Sequence, residues 1–489
     1  MKKRLLITGT AVIVILATVF ALTACNDTLS DGIFSGGSIA VRNEDGRWGY
    51  VDSNGEEVLG FDYASATNFV NGVAVVSYAD VAEPDPGAFY LIDQEGTHLA
   101  GPFVGTTRVF DDTMIIVQDR KTKAFGVYDT AAKAFAYECA YTVITPVGET
   151  SVVRMESQIS GKNGVEYVDL ATGTVTMARK ALDDEFTVSV VGGHNFYFYN
   201  TNTTENGKPV FKGVNVLTGA EAVTWNGRKS ESSDWTYLID DTYDADGSVT
   251  ASTYHYVTET AIIALDKAVE VPQNQYDGSM LLTAKTAQGA DGTNTTTYTL
   301  YGKDGAVIYS GTEQLFWNGK AYYMTKTENG TFTLNVYKDG AAYSASAAVP
   351  EGASDLNYSW NVTTEENAID MSISYSVTTG EGESAATENV AKQFVSIGGA
   401  TTEVPEGYAL KQVCGGKLVL AAENGRMGVF NADGTAVTEC IYSNALVTDG
   451  GYILVTMGNA VGVLAPDGSV VLDCVFSGIS HKEGIYGKA

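Results

Sequence analysis

The residues best suited to hold a metal or act as nucleophiles are four histidines, His98, His194, His255 and His481, and the cysteines Cys139, Cys414, Cys440 and Cys474. No histidine stands near another at zinc-ligand spacing, and neither Cys-x-x-Cys nor His-Glu-x-x-His occurs. A phosphate-cradling glycine loop and a Gly-x-Ser-x-Gly elbow are missing as well. Carboxylates offer other chemistry. Asp183, Asp184 and Glu185 form one cluster and Asp240 and Asp241 another, and two convergent carboxyls are what glycosidic hydrolysis needs. Asp244 and Asp246 precede Gly247 and could ligate calcium, but the later Glu of a calcium loop is absent and a tight hairpin uses the same residues. The reading is a non-enzymatic chain with no catalytic, cofactor-binding or metal-binding residues.

What must position any site is a repeat. With Trp48 as position zero, Gly49, Tyr50, Val51 and Asp52 follow, then Gly55 at plus seven, Val58 at plus ten and Tyr63 at plus fifteen. Met427, Gly428, Val429, Phe430, Gly434, Val437 and Tyr442 keep every offset, as do Val461, Gly462, Val463, Leu464, Gly468, Val471 and Phe476. Phe89, Leu91, Asp93 and Gly96 form a copy with Tyr90 in place of the second glycine. Phe125, Gly126, Val127 and Asp129 form one with a residue inserted before Tyr141. A fixed period of this kind marks an array whose units stack to bury what each cannot bury alone.

The unit reads as strands. Alternation puts Trp48 and Tyr50 on one face and Gly49 and Val51 on the other, and Asp52-Ser53-Asn54-Gly55 has hairpin-turn chemistry. Apolar residues on both faces predict a sheet covered on both sides, with Gly49 admitting close approach of the neighbouring sheet and Trp48 as a packing anchor. Gly46 to Val76 resembles the tryptophan-glycine (WG) repeat family, through its Trp-Gly-Tyr-Val-Asp-x-x-Gly frame followed by Phe69, Gly72 and Val73 to Val76. The resemblance implies a β-repeat body, often propeller-like, and a binding or scaffolding role more often than an enzymatic one.

At the amino terminus, Lys2, Lys3 and Arg4 precede an apolar stretch from Leu5 to Leu22, and Leu22-Thr23-Ala24-Cys25 closes it. The closing tetrad resembles the lipobox of bacterial lipoproteins, with Thr23 in place of the usual Ser or Ala. The resemblance implies that residues 1–24 are a lipoprotein signal peptide and that Cys25 is lipidated. An uncleaved transmembrane anchor is the competing reading. Residues 25–37 are then a flexible tether carrying the lipidated cysteine, and the body is held at a bacterial cell membrane, facing the extracellular side or the periplasm.

The chain has 489 residues, with 30 basic against 59 acidic side chains and a formal net charge of −29. Cleavage before Cys25 removes three basic residues and no acids, leaving 27 against 59, or −32. That balance disfavours nucleic acid, whose binding is dominated by cationic contact with phosphate. Cys440 and Cys474 stand thirteen residues after their position zero and Cys139 fourteen. Equivalent positions in stacked sheets lie about 10 Å apart, too far for a disulfide, so these cysteines are expected to be buried free thiols.

No long window of the mature chain holds a helical period. The expected fold is all-β: tandem antiparallel β-meander repeats in a propeller-like body, with an open superhelical stack or two propellers as alternatives. Residues 38–188 are assigned to WG-type repeats, 189–405 to divergent Thr- and Tyr-rich repeats, and 406–480 to WG-type repeats closing the same body. The expected function is a lipid-anchored surface module binding an envelope or extracellular macromolecule, a protein or a glycan. Its rivals are a carbohydrate-active propeller enzyme and a solute-binding lipoprotein with an aromatic pocket near Trp225, Trp235, Trp317 or Trp360.

Overall fold

The computed structural model describes residues 33–79, 87–110, 113–148, 150–159, 161–185, 195–231, 236–258, 260–265, 280–364, 366–380, 386–481 and 484–487. Leu22, Thr23, Ala24 and Cys25, and with them His194 and Trp235, lie outside this set. Among the described residues, regular structure is β-strand apart from two short 3-10 turns, Ser35–Gly37 and Leu182–Asp184. The fold is all-β, built of tandem antiparallel meanders.

The first repeats comprise β1 (Ile39–Arg42), β2 (Trp48–Val51), β3 (Glu57–Ala66), β4 (Ala74–Tyr78), β5 (Phe89–Ile92), β6 (His98–Val109), β7 (Met114–Asp119), β8 (Phe125–Asp129) and β9 (Ala134–Tyr141). Each pairs with the next, so successive repeats run into one continuous sheet instead of separate ones. On its far side β1 pairs with Gly478–His481, which in turn pairs with Gly484–Gly487. These end strands share a compact unit with the repeats at 427 and 461. The chain divides into this unit, formed up to Cys139 with Lys417–Asn431 and the residues from Thr435 onward, and a second made of Ala140–Gly416 with Ala432–Gly434. Within the second unit, residues before and after 188 share a core, in which Val147, Val165, Tyr167 and Met177 pack with Tyr197 and Val214.

Register explains the repeat offsets. Trp48 pairs with Tyr63, Tyr50 with Leu59 and Val51 with Glu57; Val461, Val463 and Leu464 pair with Phe476, Leu472 and Val470 in the same pattern. Met427 bridges Tyr442 likewise. The aromatic at plus fifteen is thus the cross-strand partner of position zero, reached because the returning strand bulges with extra residues. At plus four, the Asp52 carboxylate accepts from the Asn54 and Glu56 backbone N–H groups at 2.8 and 2.9 Å. Asp93 does the same for Glu95 and Thr97. The turn glycines Gly55, Gly96, Gly434 and Gly468 all have φ between 79° and 87°, a region that favours glycine.

The two faces of the first meander feed two cores. Trp48, at 2 % exposure, joins Tyr50, Tyr63, Phe69, Ala74 and Tyr90. Val41 and Val51 instead join Leu454, Val463, Leu472 and Ile479, with Phe61 packed against them. Both-sided burial follows the alternation that the sequence carries.

Three expectations need correction. The glycine after position zero does not admit a neighbouring sheet. A Cβ on Gly126 would meet Tyr137 O and Cys139 N at 2.7 and 2.9 Å, and one on Gly462 would meet Leu472 O at 2.6 Å and Asp473 C at 2.9 Å. The atom in the way is the bulged strand of the same meander. Where Tyr90 replaces this glycine, the exchange is made across the pair: Gly101 takes the small residue, with its own Cβ position 2.9 Å from the Tyr90 ring. Gly462→Ala is expected to cost about 1–3 kcal/mol, because rigid backbone must shift. Gly49→Ala should cost less, since its nearest atoms at 3.0 Å include the rotatable Phe61 ring. Urea titrations of both variants check this, and equal midpoints would contradict it.

The second correction concerns the thiols. All four of Cys139, Cys414, Cys440 and Cys474 are free, but only Cys414 is buried and the three at the equivalent repeat position are half-buried. Each lies beside the glycine after position zero, with Cys139 Sγ 2.9 Å from the Gly126 Cβ position and Cys440 Sγ 2.8 Å from that of Gly428. The third concerns the tether. Ile33 and Phe34 are 2 % and 3 % exposed and pack with Leu454 and Val463, Phe34 lying edge-on to Tyr452 at 6.0 Å. Gln94 donates to Gly36 O at 2.9 Å. Residues 33–37 therefore belong to the folded body, and two buried apolar side chains are what holds them there.

Candidate functional site

The second unit carries a cleft of about 780 Å³ on the sheet formed by Ser354–Thr363, Ala368–Thr379, Ala386–Ile397 and Ala400–Glu403. One face of that sheet is core. Val362, Ile369, Met371, Ile373, Tyr375 and Phe394 are buried there with Phe332, Leu334 and Val336. The alternate residues form the other face, on which register aligns Asn357 with Ser374, Ser359 with Ser372 and Gln393, and Ser376 with Asn389. A period-two sequence, Met371-Ser372-Ile373-Ser374-Tyr375-Ser376, is what sorts apolar and hydroxyl side chains to opposite sides.

Unequal strand lengths create the opening. Ala386–Ile397 runs for 12 residues, but its outer neighbour Ala400–Glu403 has 4 and pairs only with Phe394–Ile397. Val404 N adds one bond to Gln393 O at 2.8 Å. Pro405 lacks an N–H and turns the chain away, and Leu410 N then bonds the Gln393 side chain at 3.1 Å. Among the described residues, Glu388 to Ala391 are left as an uncovered strand edge along one wall of the cleft, with Glu403 to Tyr408 as the other. Tyr358 and Tyr408, each 37 % exposed, stand at its margins. Tyr358 is braced by the Phe332 ring at 5.2 Å.

The electrostatics of the cleft are acidic. Glu388, Glu403 and Glu406 line it with a single lysine, Lys392, whose Nζ is held by Glu403 at 2.8 Å. On the polar face itself, burial pushes the Asp370 carboxyl above the usual range, an effect opposed by the hydrogen bond from Gln393 at 2.9 Å. Gln393 is thus fixed at both ends of its amide, which makes the cleft floor rigid.

Among the described residues, those singled out in the sequence do not line this cleft. Glu185 receives both terminal nitrogens of Arg154 at 2.8 and 2.9 Å, and Arg154 also donates to Glu156 and Tyr167, so this carboxylate closes a structural ion-pair network. Asp184 accepts from Asn202. Asp241 is buried and taken by Arg228 and Ser252. Burial raises the Asp240 carboxyl, and His255, on the same sheet face, opposes that shift. Asp244 caps its own turn through the Asp246 and Ser248 N–H groups. Near the first repeat, His98 stacks on Tyr90 at 4.7 Å and shares a 2.6 Å hydrogen bond with the Tyr78 hydroxyl. Trp225 is core at 1 % exposure, while Trp317 and Trp360 are half-buried against Tyr322 and Tyr323. The structural set of Trp48, Tyr63, Phe89, Phe125, Tyr442 and Phe476 all falls on strands or the bridges between them.

Nothing in the sequence analysis pointed to the cleft. Its readable signals were the serine alternation of Ser372 to Ser376 and the Pro405 stop shortly after a short strand.

Residues 48–80, from the Trp48 strand to just beyond β4, match the family of the WG containing repeat. The chain carries a WG repeat. No curated protein matches it in sequence. Among solved structures it is similar to a eukaryotic initiation factor, at 10 % identity over 75 % of this chain and 96 % of that one, with a TM-score of 0.24. It is similar to the β-propeller domain of the trilobed protease from Pyrococcus furiosus, at 9 % identity over 70 % and 94 % of the two chains, with a TM-score of 0.18. It is also similar to TolB from Acinetobacter baumannii, at 10 % identity over 52 % and 57 %, with a TM-score of 0.18.

Proposed function

We propose that this chain is a non-catalytic binding module, lipid-anchored through Cys25 at a bacterial membrane, whose β-repeat body captures an envelope or extracellular macromolecule. The observation that carries the reading is the open cleft of about 780 Å³, where an uncovered strand edge and a rigid polar face adjoin. Such a surface offers hydrogen-bonding groups to a partner while its carboxylates are spread along the walls. The basic start, apolar stretch and Leu22-Thr23-Ala24-Cys25 support the anchor.

In a bacterial host the full chain is expected to partition into the detergent phase, and Cys25→Ala to leave it. Cross-linking in that envelope should recover a saturable partner. A wild-type chain found in the aqueous phase would remove the anchor, and cross-linking without saturation would remove the binding role. Three glutamates lining one cleft favour carbohydrate hydrolysis as the second reading, which turnover of an envelope glycan by the purified chain would establish.

A further inference from the structure

We propose that the strand edge at Thr387–Ala391 takes up an extended, positively charged peptide segment as an added strand of the sheet, an inference that rests on the binding-module reading above. The parity of the edge is fixed by its covered end. Gln393 directs its C=O outward to Val404 N, and backbone groups alternate with a period of two. Asn389 and Ala391, and one step further Thr387, therefore aim their N–H and C=O groups away from the sheet. Among the described residues no strand meets these groups, and all of Ala386 to Asn389 and Ala391 are exposed.

Main-chain groups in a row match another main chain. A peptide strand satisfies each of them in register while placing alternate side chains in the cleft, whereas the hydroxyls of a sugar do not repeat with the spacing of a strand's N–H and C=O groups. Charge then selects among peptides. Glu388 and Glu406 flank the edge, and the one lysine is already held by Glu403. A cationic segment is favoured, and a second copy of this chain, with a net charge of −29, is opposed. Charged residues can also serve simply to guard a bare edge against pairing, which the experiment separates from recognition.

The mature chain is titrated against a labelled short peptide of alternating lysine and valine, read by fluorescence anisotropy. Saturable binding is expected, weakened about tenfold or more when alternate peptide nitrogens are methylated. Ala391→Pro removes an outward N–H without touching the ladder to Ala368–Thr379, and should weaken binding comparably. Glu388→Lys with Glu406→Lys should do the same and keeps the test open if the proline variant misfolds. The proposal is overturned by an absence of binding, by indifference to N-methylation, by equal binding of a glutamate-for-lysine peptide, or by a neutral chito-oligosaccharide displacing the peptide. If peptide binding fails while envelope cross-linking still saturates, the edge is wrong and the binding role stands; if both fail, both fall.

Discussion

A chain cut after Ser477 is expected to lose cooperative folding of the unit that joins its two ends. The missing hairpin supplies Ile479 and Tyr486, at 0 % and 6 % exposure, to the core shared with Ile39, Val41, Val51 and Leu454. It also removes the pairings Val41 to Ile479 and Arg42 to Gly478, and the bond from Asn68 to Ser480 O at 2.9 Å. Losing one buried side chain of this size costs about 2–5 kcal/mol, and a whole domain is stable by only about 5–15 kcal/mol. Two such losses, with a bare strand edge added, reach that scale. Thermal melts and limited proteolysis of the truncated chain measure the effect. A melting point within about 4 °C of the intact protein would show that the hairpin is ornamental.

Phe34→Ala is expected to cost about 3–5 kcal/mol, the second largest effect. The ring is 3 % exposed and edge-on to Tyr452, and its segment is also held by the buried Ile33 and by the Gln94 bond to Gly36 O. Denaturant titration should move the midpoint without changing the slope if the unit still unfolds as one. A loss below about 1 kcal/mol would mean that residues 33–37 are dispensable to the core. The substitution bears on the proposed anchor too. Between Cys25 and the docked Ile33 the backbone can span about 28 Å at full extension, so releasing Phe34 lengthens the leash as well as weakening the fold.

Much of the fold was legible because the repeat offsets are themselves pairing distances. Trp48 and Tyr63, or Val461 and Phe476, recur at fifteen residues because they face each other across a bulged hairpin. The same bulge made the adjacent glycine misleading. Close approach was readable from Gly49, Gly126 and Gly462, but a pattern along one strand does not say which chain segment comes near. The closing hairpin was harder, since Gly484–Gly487 is four residues long with glycine at both ends and shows no alternation. Residues 33–37 read as a tether because their glycines and serines outnumber two apolar side chains, and burial of those two decided the outcome. The cleft lay furthest from view. It exists because a strand of 12 residues lies beside one of 4, a mismatch that appears only once register is known.

The pairing of Ile39–Arg42 with Gly478–His481 also sets an order of events during synthesis. Ile39–Arg42 is synthesised well before Gly478–His481, so its outer edge waits for that strand before it is covered. Contacts this distant along the chain slow folding. Completion of the late hairpin then fastens together two segments far apart in the sequence.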